Sequence, residues 1–211
     1  MTLDQLAIKH GTDKSSEGHD YCNVYERYFE PLRNEVICLL ELGYGGDKDP
    51  LLGGESAKMW LEYFPNAEIN VLDNEIKENV PEDIEFIHGS QDDADLLLSI
   101  FSVGSFDLVI DDASHLSSLT IKSFEILFPL MKSGGYYCIE DTHSSYHSFY
   151  YGEKESNVNP ELNGTESITT MNYFKRMCDE INKDSLIGHF RLGYDIEEIN
   201  FSKDLIIIKK K

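Results

Sequence analysis

The amino-acid sequence predicts an α/β protein built on a mainly parallel seven-stranded sheet with an antiparallel last strand. Three observations lead there. From residue 36 to about residue 180, apolar runs of strand length alternate with segments of helical periodicity, the pattern of a parallel sheet with crossover helices. The first run, "EVICLLELG", is almost continuously apolar, as expected for a strand covered on both faces. The chain then closes with "IEEINFSKDLIIIKK", two strand-like runs around Ser202-Lys203-Asp204, which reads as a hairpin.

Taken in order, the first element is a short amphipathic helix: Thr2 and Gln5 have capping-box spacing, and Leu3, Leu6 and Ala7 give it an apolar stripe. "HGTDKSSEGHD" breaks the pattern. In "YCNVYERYFEPL" the aromatics Tyr21, Tyr25, Tyr28 and Phe29 recur at helical spacing, and Pro31 closes the segment; such a stripe is read as core packing. Residues 1–35 are therefore expected to form an N-terminal helical cover, and residues 36–211 the main domain. After the first strand come the helix "SAKMWLEYF", the strands "AEINVLD" and "IEFIHG", the helix "DADLLLSIF" and the strand "FDLVIDD". A long helix is expected over "LTIKSFEILFPLMKSGG", stopped by its paired glycines, then the strand "YYCIED". A polar loop, residues 143–164, leads into the helix "SITTMNYFKRMCDEI" and the closing hairpin.

Composition narrows the function. Lys and Arg number 18 against 39 Asp and Glu, a net charge of −21. A field of that sign repels phosphate backbones, so nucleic acid is not expected as a partner. The four cysteines (Cys22, Cys38, Cys138, Cys178) show no CxxC spacing, which argues against a disulfide framework or a zinc site. The first residues lack the basic start and apolar core of a signal peptide, and no apolar stretch nears the roughly 20 residues that span a bilayer. A soluble, cytoplasmic protein without a membrane partner is expected.

Chemistry-bearing residues gather at strand ends, where α/β sheets bind ligands. After the first strand stands "ELGYGGDKD": Glu41, then Gly43, Gly45 and Gly46, glycines that let the backbone approach a ligand. The sixth position of a dinucleotide-type GxGxxG is Lys48, and the next helix begins late, so a nicotinamide cofactor is disfavoured. A nucleoside ligand without phosphates fits better, S-adenosylmethionine being the common one. Asp73, ending the second strand, can accept both ribose hydroxyls. Gln91 and Asp92, after the third strand, are candidates for the adenine edge.

The fourth strand ends in Asp111-Asp112 and the fifth in Glu140-Asp141. Neighbouring strands lie about 4.8 Å apart, so carboxylates at both ends can share a cation. Oxygen ligands without cysteine favour a hard divalent ion, magnesium first. Asp111 is grouped with the cofactor-binding candidates, and Asp112, Glu140 and Asp141 with the metal. His115, three residues after Asp112, would then stand ready to take a proton from a metal-polarised hydroxyl. His143 and His147 are expected to shape an acceptor pocket, and Lys14, His19 and Tyr21 to fold over the mouth of the site.

The segments "HGTDK", "ELGYGG", "GGESAKMWLEYFP", "GSQDD", "VIDDASH" and "SFEILFPLMKSGGYYCIEDTHSSY" together resemble the macrolide-sugar O-methyltransferases over nearly all of the chain. The resemblance implies a Rossmann-like class I S-adenosylmethionine-dependent methyltransferase domain over residues 36–211. It also implies magnesium held by Asp112, Glu140 and Asp141, and His115 as general base. The acceptor would be a small hydroxylated molecule, a sugar or glycosylated natural product, and a homo-oligomer is compatible with it. The family's members carry a further N-terminal domain to which the resemblance does not extend. Catechol-type methyltransferases also use magnesium but pair their ligands with a lysine and an Asp-Asn. Two other readings stay open from the residues alone, a nicotinamide oxidoreductase and a cofactor-binding module without catalysis.

Overall fold

The computed structural model describes residues 1–147, 169–182 and 193–211. Its strands are β1 (Cys38–Leu42), β2 (Glu68–Asp73), β3 (Ile84–His88), β4 (Phe106–Asp111), β5 (Met131–Ile139), β6 (Ile196–Ser202) and β7 (Leu205–Lys210). They form one seven-stranded sheet in the order β3-β2-β1-β4-β5-β7-β6. The pairs β1–β2, β2–β3 and β4–β5 are parallel, and β7 runs antiparallel to both β5 and β6. This is the Rossmann-like sheet with an antiparallel last strand that the sequence predicts. The chain divides into two units, Met1–Ser90 and Gln91–Lys211.

In the first unit, helices α1 (Leu3–His10), α2 (Tyr21–Phe29) and α3 (Glu55–Tyr63) accompany β1 to β3. The capping box of α1 is formed: Gln5 N donates to Thr2 Oγ1 at 3.2 Å, and Thr2 N to Gln5 Oε1 at 3.0 Å. The aromatic stripe of α2 is core. Tyr25 stacks on Phe29 at 4.7 Å between ring centroids, and Trp60 of α3 meets both edge-on. Lys9 and His10 reach Glu62 of α3 across the surface, an exposed cluster that adds little stability.

In the second unit, helices α4 (Ala94–Ile100), α5 (Ser117–Leu127), α6 (Thr170–Arg176) and α7 (Cys178–Ile181) accompany β4 to β7. Asp93 and Thr169 cap α4 and α6, accepting from Leu96 N and Asn172 N. Phe124 of α5 is the hub of the core, with Phe128, Tyr137 and Phe174 around it.

One expectation needs correction here. The long helix stops at Leu127, not at the paired glycines; a 3-10 turn over Phe128–Leu130 follows, and β5 begins at Met131. Pro129 accounts for the stop, since it lacks an N–H and disfavours helix in the residue before it. Gly134 and Gly135 lie inside β5, where its register with β4 shifts between Phe106 and Leu108. Gly134 takes φ +83, and a Cβ on Gly135 would stand 2.7 Å from Asp107 O, so the glycines serve a bulge. The polar loop from residue 148 and the expected helix start at residues 167 and 168 lie outside the described residues. Among the described residues no helix is long and apolar enough to cross a membrane.

Candidate functional site

At the end of β2, Asp73 is held by two backbone donors: Tyr44 N to Oδ2 and Glu75 N to Oδ1, both at 2.8 Å. Each oxygen keeps a second lone pair, so the carboxylate is oriented yet still able to accept. The glycine turn beside it folds back on itself. Gly43, Gly45 and Gly46 have φ of 96°, 78° and 75°, and Gly54 N donates to Tyr44 O at 2.8 Å. A Cβ on Gly46 would lie 2.3 Å from Leu52 O, whereas one on Gly45 would meet nothing closer than 3.9 Å. Gly46 is thus needed for the turn's own packing, and Gly45 only for its backbone conformation. Lys77 Nζ donates to Asp47 O and Asp49 O, and Asn79 Nδ2 to Gly53 O. Neither anchor stood out in the sequence, because an isolated Lys and Asn in a polar loop carry no spacing signal.

Glu41 lies inside the first unit, fully buried. Ser56 Oγ donates to its Oε2 at 3.0 Å, and the buried Lys14 Nζ stands 3.8 Å from Oε1. Glu41 therefore ties α3 to the N-terminal segment from inside, and Lys14 belongs to that buried pair. Tyr21 is buried too, while His19 stacks on it at 5.3 Å.

In the second unit, Gln91 and Asp111 are also turned inward, both buried. Gln91 Nε2 donates to Asp111 Oδ1 and to Ser123 Oγ, both at 3.1 Å, and Gln91 Oε1 accepts from Ser114 N. Ser123 Oγ donates to Asp111 Oδ2 at 2.8 Å. Burial pushes the Asp111 carboxyl up to about 7, against the pull of the donors from Ser123, Ala113 N and Gln91. The physical reason is strand alternation: Asp111 and Asp112 leave opposite faces of the strand end, so only one of them can face outward. Asp92, the neighbour of Gln91, is half-buried.

Asp112 is the outward one. Its carboxylate, the His115 imidazole and the Asp141 carboxylate each offer a ligand atom within 4.8 Å of the others. His115 Nε2 lies 3.5 Å from Asp141 Oδ2 and 3.9 Å from Asp112 Oδ1. The chain turns at Asp141, in left-handed conformation with φ 51°, and enters a 3-10 turn over Thr142–Tyr146. Glu140 is buried just before that turn and is not among the three grouped residues. The cluster brings two hard oxygen donors, able to hold a divalent cation, to one point beside an imidazole. Sequence reasoning did not foresee the place of Asp204. Its Oδ1 lies 3.8 Å from His143 Nδ1, which is also 3.9 Å from Asp141 Oδ1. His143 also packs edge-on against His147, with ring centroids 5.4 Å apart.

Comparison with known proteins bears out the resemblance carried by the motifs. No family model matches the chain. It is 37% identical over 182 residues to the 8-demethyl-8-(2-methoxy-α-L-rhamnosyl)-tetracenomycin-C 3'-O-methyltransferase of Streptomyces olivaceus, covering 85% of this chain and 45% of that one. It is 36% identical over 186 residues to the mycinamicin VI 2''-O-methyltransferase of Micromonospora griseorubida, covering 87% and 45%. The chain spans about half the length of the curated relatives it matches. Among solved structures it is similar to the MycE methyltransferase of the mycinamycin biosynthetic pathway in complex with Mg, SAH and mycinamycin VI. That match has a TM-score of 0.83 and 31% identity, and covers 100% of this chain and 54% of that one.

Proposed function

We propose that this chain carries the cofactor-binding and metal-binding part of a magnesium-dependent O-methyltransferase, one that methylates a sugar hydroxyl on a glycosylated natural product. The observation that supports it most is the Asp112–His115–Asp141 cluster in a chain similar throughout its length to a methyltransferase solved with Mg and SAH. In this reading Asp73 receives the ribose hydroxyls of S-adenosylmethionine, and Gly43 and Gly45 let the backbone approach it. Asp92 is the candidate for the adenine edge; Glu41 is buried against Ser56 and Lys14, and Gln91 and Asp111 bond to one another and to Ser123.

The donor set suits the ion. Asp112 and Asp141 supply carboxylate oxygens, the ligand type magnesium prefers. Glu140, the third carboxylate of the motif, is buried where β5 ends. When bound, magnesium makes neighbouring hydroxyls more acidic, and S-adenosylmethionine supplies the methyl, its S–CH3 bond breaking as the O–CH3 bond forms. The chain's own residues do the rest. His115 accepts the hydroxyl proton at Nε2, the nitrogen turned toward both carboxylates.

Thermal-shift measurements with S-adenosylhomocysteine, NAD and NADP, with and without magnesium chloride, test the reading. Only a ligand that binds the folded chain raises its melting temperature. A shift with S-adenosylhomocysteine alone among the three is expected. A shift with NAD or NADP and none with S-adenosylhomocysteine would overturn it.

A further inference from the structure

His143 stands between two carboxylates that come from distant parts of the chain. Its Nδ1, a buried atom, lies 3.9 Å from Asp141 Oδ1 on one side and 3.8 Å from Asp204 Oδ1 on the other. The second carboxylate is there because of the sheet. Strand β7 pairs antiparallel with β5, with Ile139 opposite Ile206, so the two-residue tip of the β6–β7 hairpin lies beside the end of β5. Thr142 N donates to Asp204 O at 3.1 Å and fixes the tip to the turn. Asp204 itself holds a left-handed backbone, φ 57°. Asp141 therefore has one oxygen toward His115, at 3.5 Å, and the other toward His143.

These separations are ion-pair rather than hydrogen-bond distances, so what they fix is orientation and tautomer. Of the two tautomers of the neutral ring, the one with its hydrogen on Nδ1 turns an N–H, not a lone pair, toward both carboxylates. That N–H attracts the outer oxygen of Asp141 and opposes rotation of its carboxylate. Groups that orient a metal ligand in this way typically change metal affinity 10- to 100-fold when removed.

We infer that His143 is a positioning residue of the metal centre: Asp204 holds its ring, and its Nδ1 holds the outer oxygen of Asp141, keeping the inner oxygen turned to His115 and the cation. This rests on the metal reading given above. The hairpin tip thereby becomes part of the site.

The test is calorimetric titration of Mn2+ into the full chain saturated with S-adenosylhomocysteine, for the unmodified protein and for His143→Ala, His143→Asn and Asp204→Asn. The thermal midpoint of each is recorded. His143→Ala is expected to weaken Mn2+ binding about 10- to 100-fold with S-adenosylhomocysteine affinity unchanged. His143→Asn, whose amide N–H can replace the Nδ1–H, should keep most of the affinity. Asp204→Asn should lose a smaller part of it, and should add nothing further in the His143→Ala background. Mn2+ affinity within about twofold of the unmodified protein in a folded His143→Ala would overturn the inference, as would equal losses in the Ala and Asn variants. Should His143→Ala fail to fold, unchanged Mn2+ affinity in Asp204→Asn is the overturning result. An unmodified protein that takes up no Mn2+ removes the metal reading and this inference together. Normal binding with indifferent variants removes this inference alone.

Discussion

His115 Nε2 faces Asp141 Oδ2 at 3.5 Å, and both residues hold a left-handed backbone, φ 55° and 51°. Outside glycine that conformation is uncommon, although His and Asp tolerate it better than most residues. It costs about 1–2 kcal/mol per residue, and strain of this kind gathers at functional sites. The two ends of one contact are both strained, which is what a site selected for geometry over stability would show.

His115→Gly should therefore separate stability from activity. Removing the Cβ relieves the left-handed strain, so chemical denaturation should show a gain or no loss, within about 1 kcal/mol. Methyl transfer should fall about 10²- to 10⁴-fold, the loss that goes with removing a general base, the role proposed for His115, while S-adenosylhomocysteine affinity holds. Near-normal turnover on a confirmed acceptor would reduce His115 to a structural or metal-holding role.

Asp73→Ala should weaken S-adenosylhomocysteine binding by about 1.5–3 kcal/mol, the range for hydrogen bonds to a charged acceptor. It also releases Tyr44 N and Glu75 N from their partner, so the glycine turn should loosen and the melting temperature drop slightly. Calorimetry showing unchanged affinity would remove Asp73 from the cofactor site.

Buried Asp111 gives a pH prediction for the metal-free protein. Its folded pKa, about 7, lies above the unfolded value of about 3.9. Between those values the folded chain keeps a proton that the unfolded chain releases, so stability falls as pH rises through that window. Above pH 7 both states are ionised and the cost is fully present; below pH 4 it is absent. At about 1.4 kcal/mol per unit, the whole span amounts to a few kcal/mol. Asp111→Asn should flatten this part of the stability–pH curve in urea titrations. Equal slopes in the two proteins would show that Asp111 is ionised across the window.

How far the sequence could be read depended on the kind of signal. Period and punctuation sufficed for the seven strands and for the places of Asp73 and the glycine turn at the ends of β2 and β1, because strand-end residues stand out against an apolar run. Facing was harder to read. "VIDDASH" shows two aspartates in a row, but only the pleat and the turn decide that Asp111 bonds with Gln91 and Ser123 while Asp112 joins His115. The end of α5 was misplaced because the paired glycines drew the boundary past Pro129, the stronger breaker. The His143–Asp204 contact was illegible for another reason. It joins residues some sixty positions apart, and only the insertion of β7 between β5 and β6 brings them together.

The glycine turn supplies a last test, which compares two glycines of similar conformation. Gly46 and Gly104 have φ of +75° and +85°, but a Cβ on Gly46 would meet Leu52 C and O at 2.3 Å, whereas one on Gly104 meets nothing within 4 Å. Alanine at either position incurs the left-handed penalty of about 1 kcal/mol. At Gly46 the clash is with backbone, which no side-chain rotation relieves, so the segment that carries Leu52 and Gly53 must move. Gly53 O is the acceptor of Asn79 Nδ2, and Gly54 N donates to Tyr44 O, so the shift passes to Tyr44, whose N–H orients Asp73. Gly46→Ala should therefore cost clearly more than Gly104→Ala, about 2–4 kcal/mol against about 1, and should also weaken S-adenosylhomocysteine binding. Gly104→Ala should leave that affinity unchanged. Thermal unfolding and calorimetry on the two variants decide the matter: equal losses of stability with intact affinity in both would mean that the turn yields freely and does not set the Asp73 carboxylate.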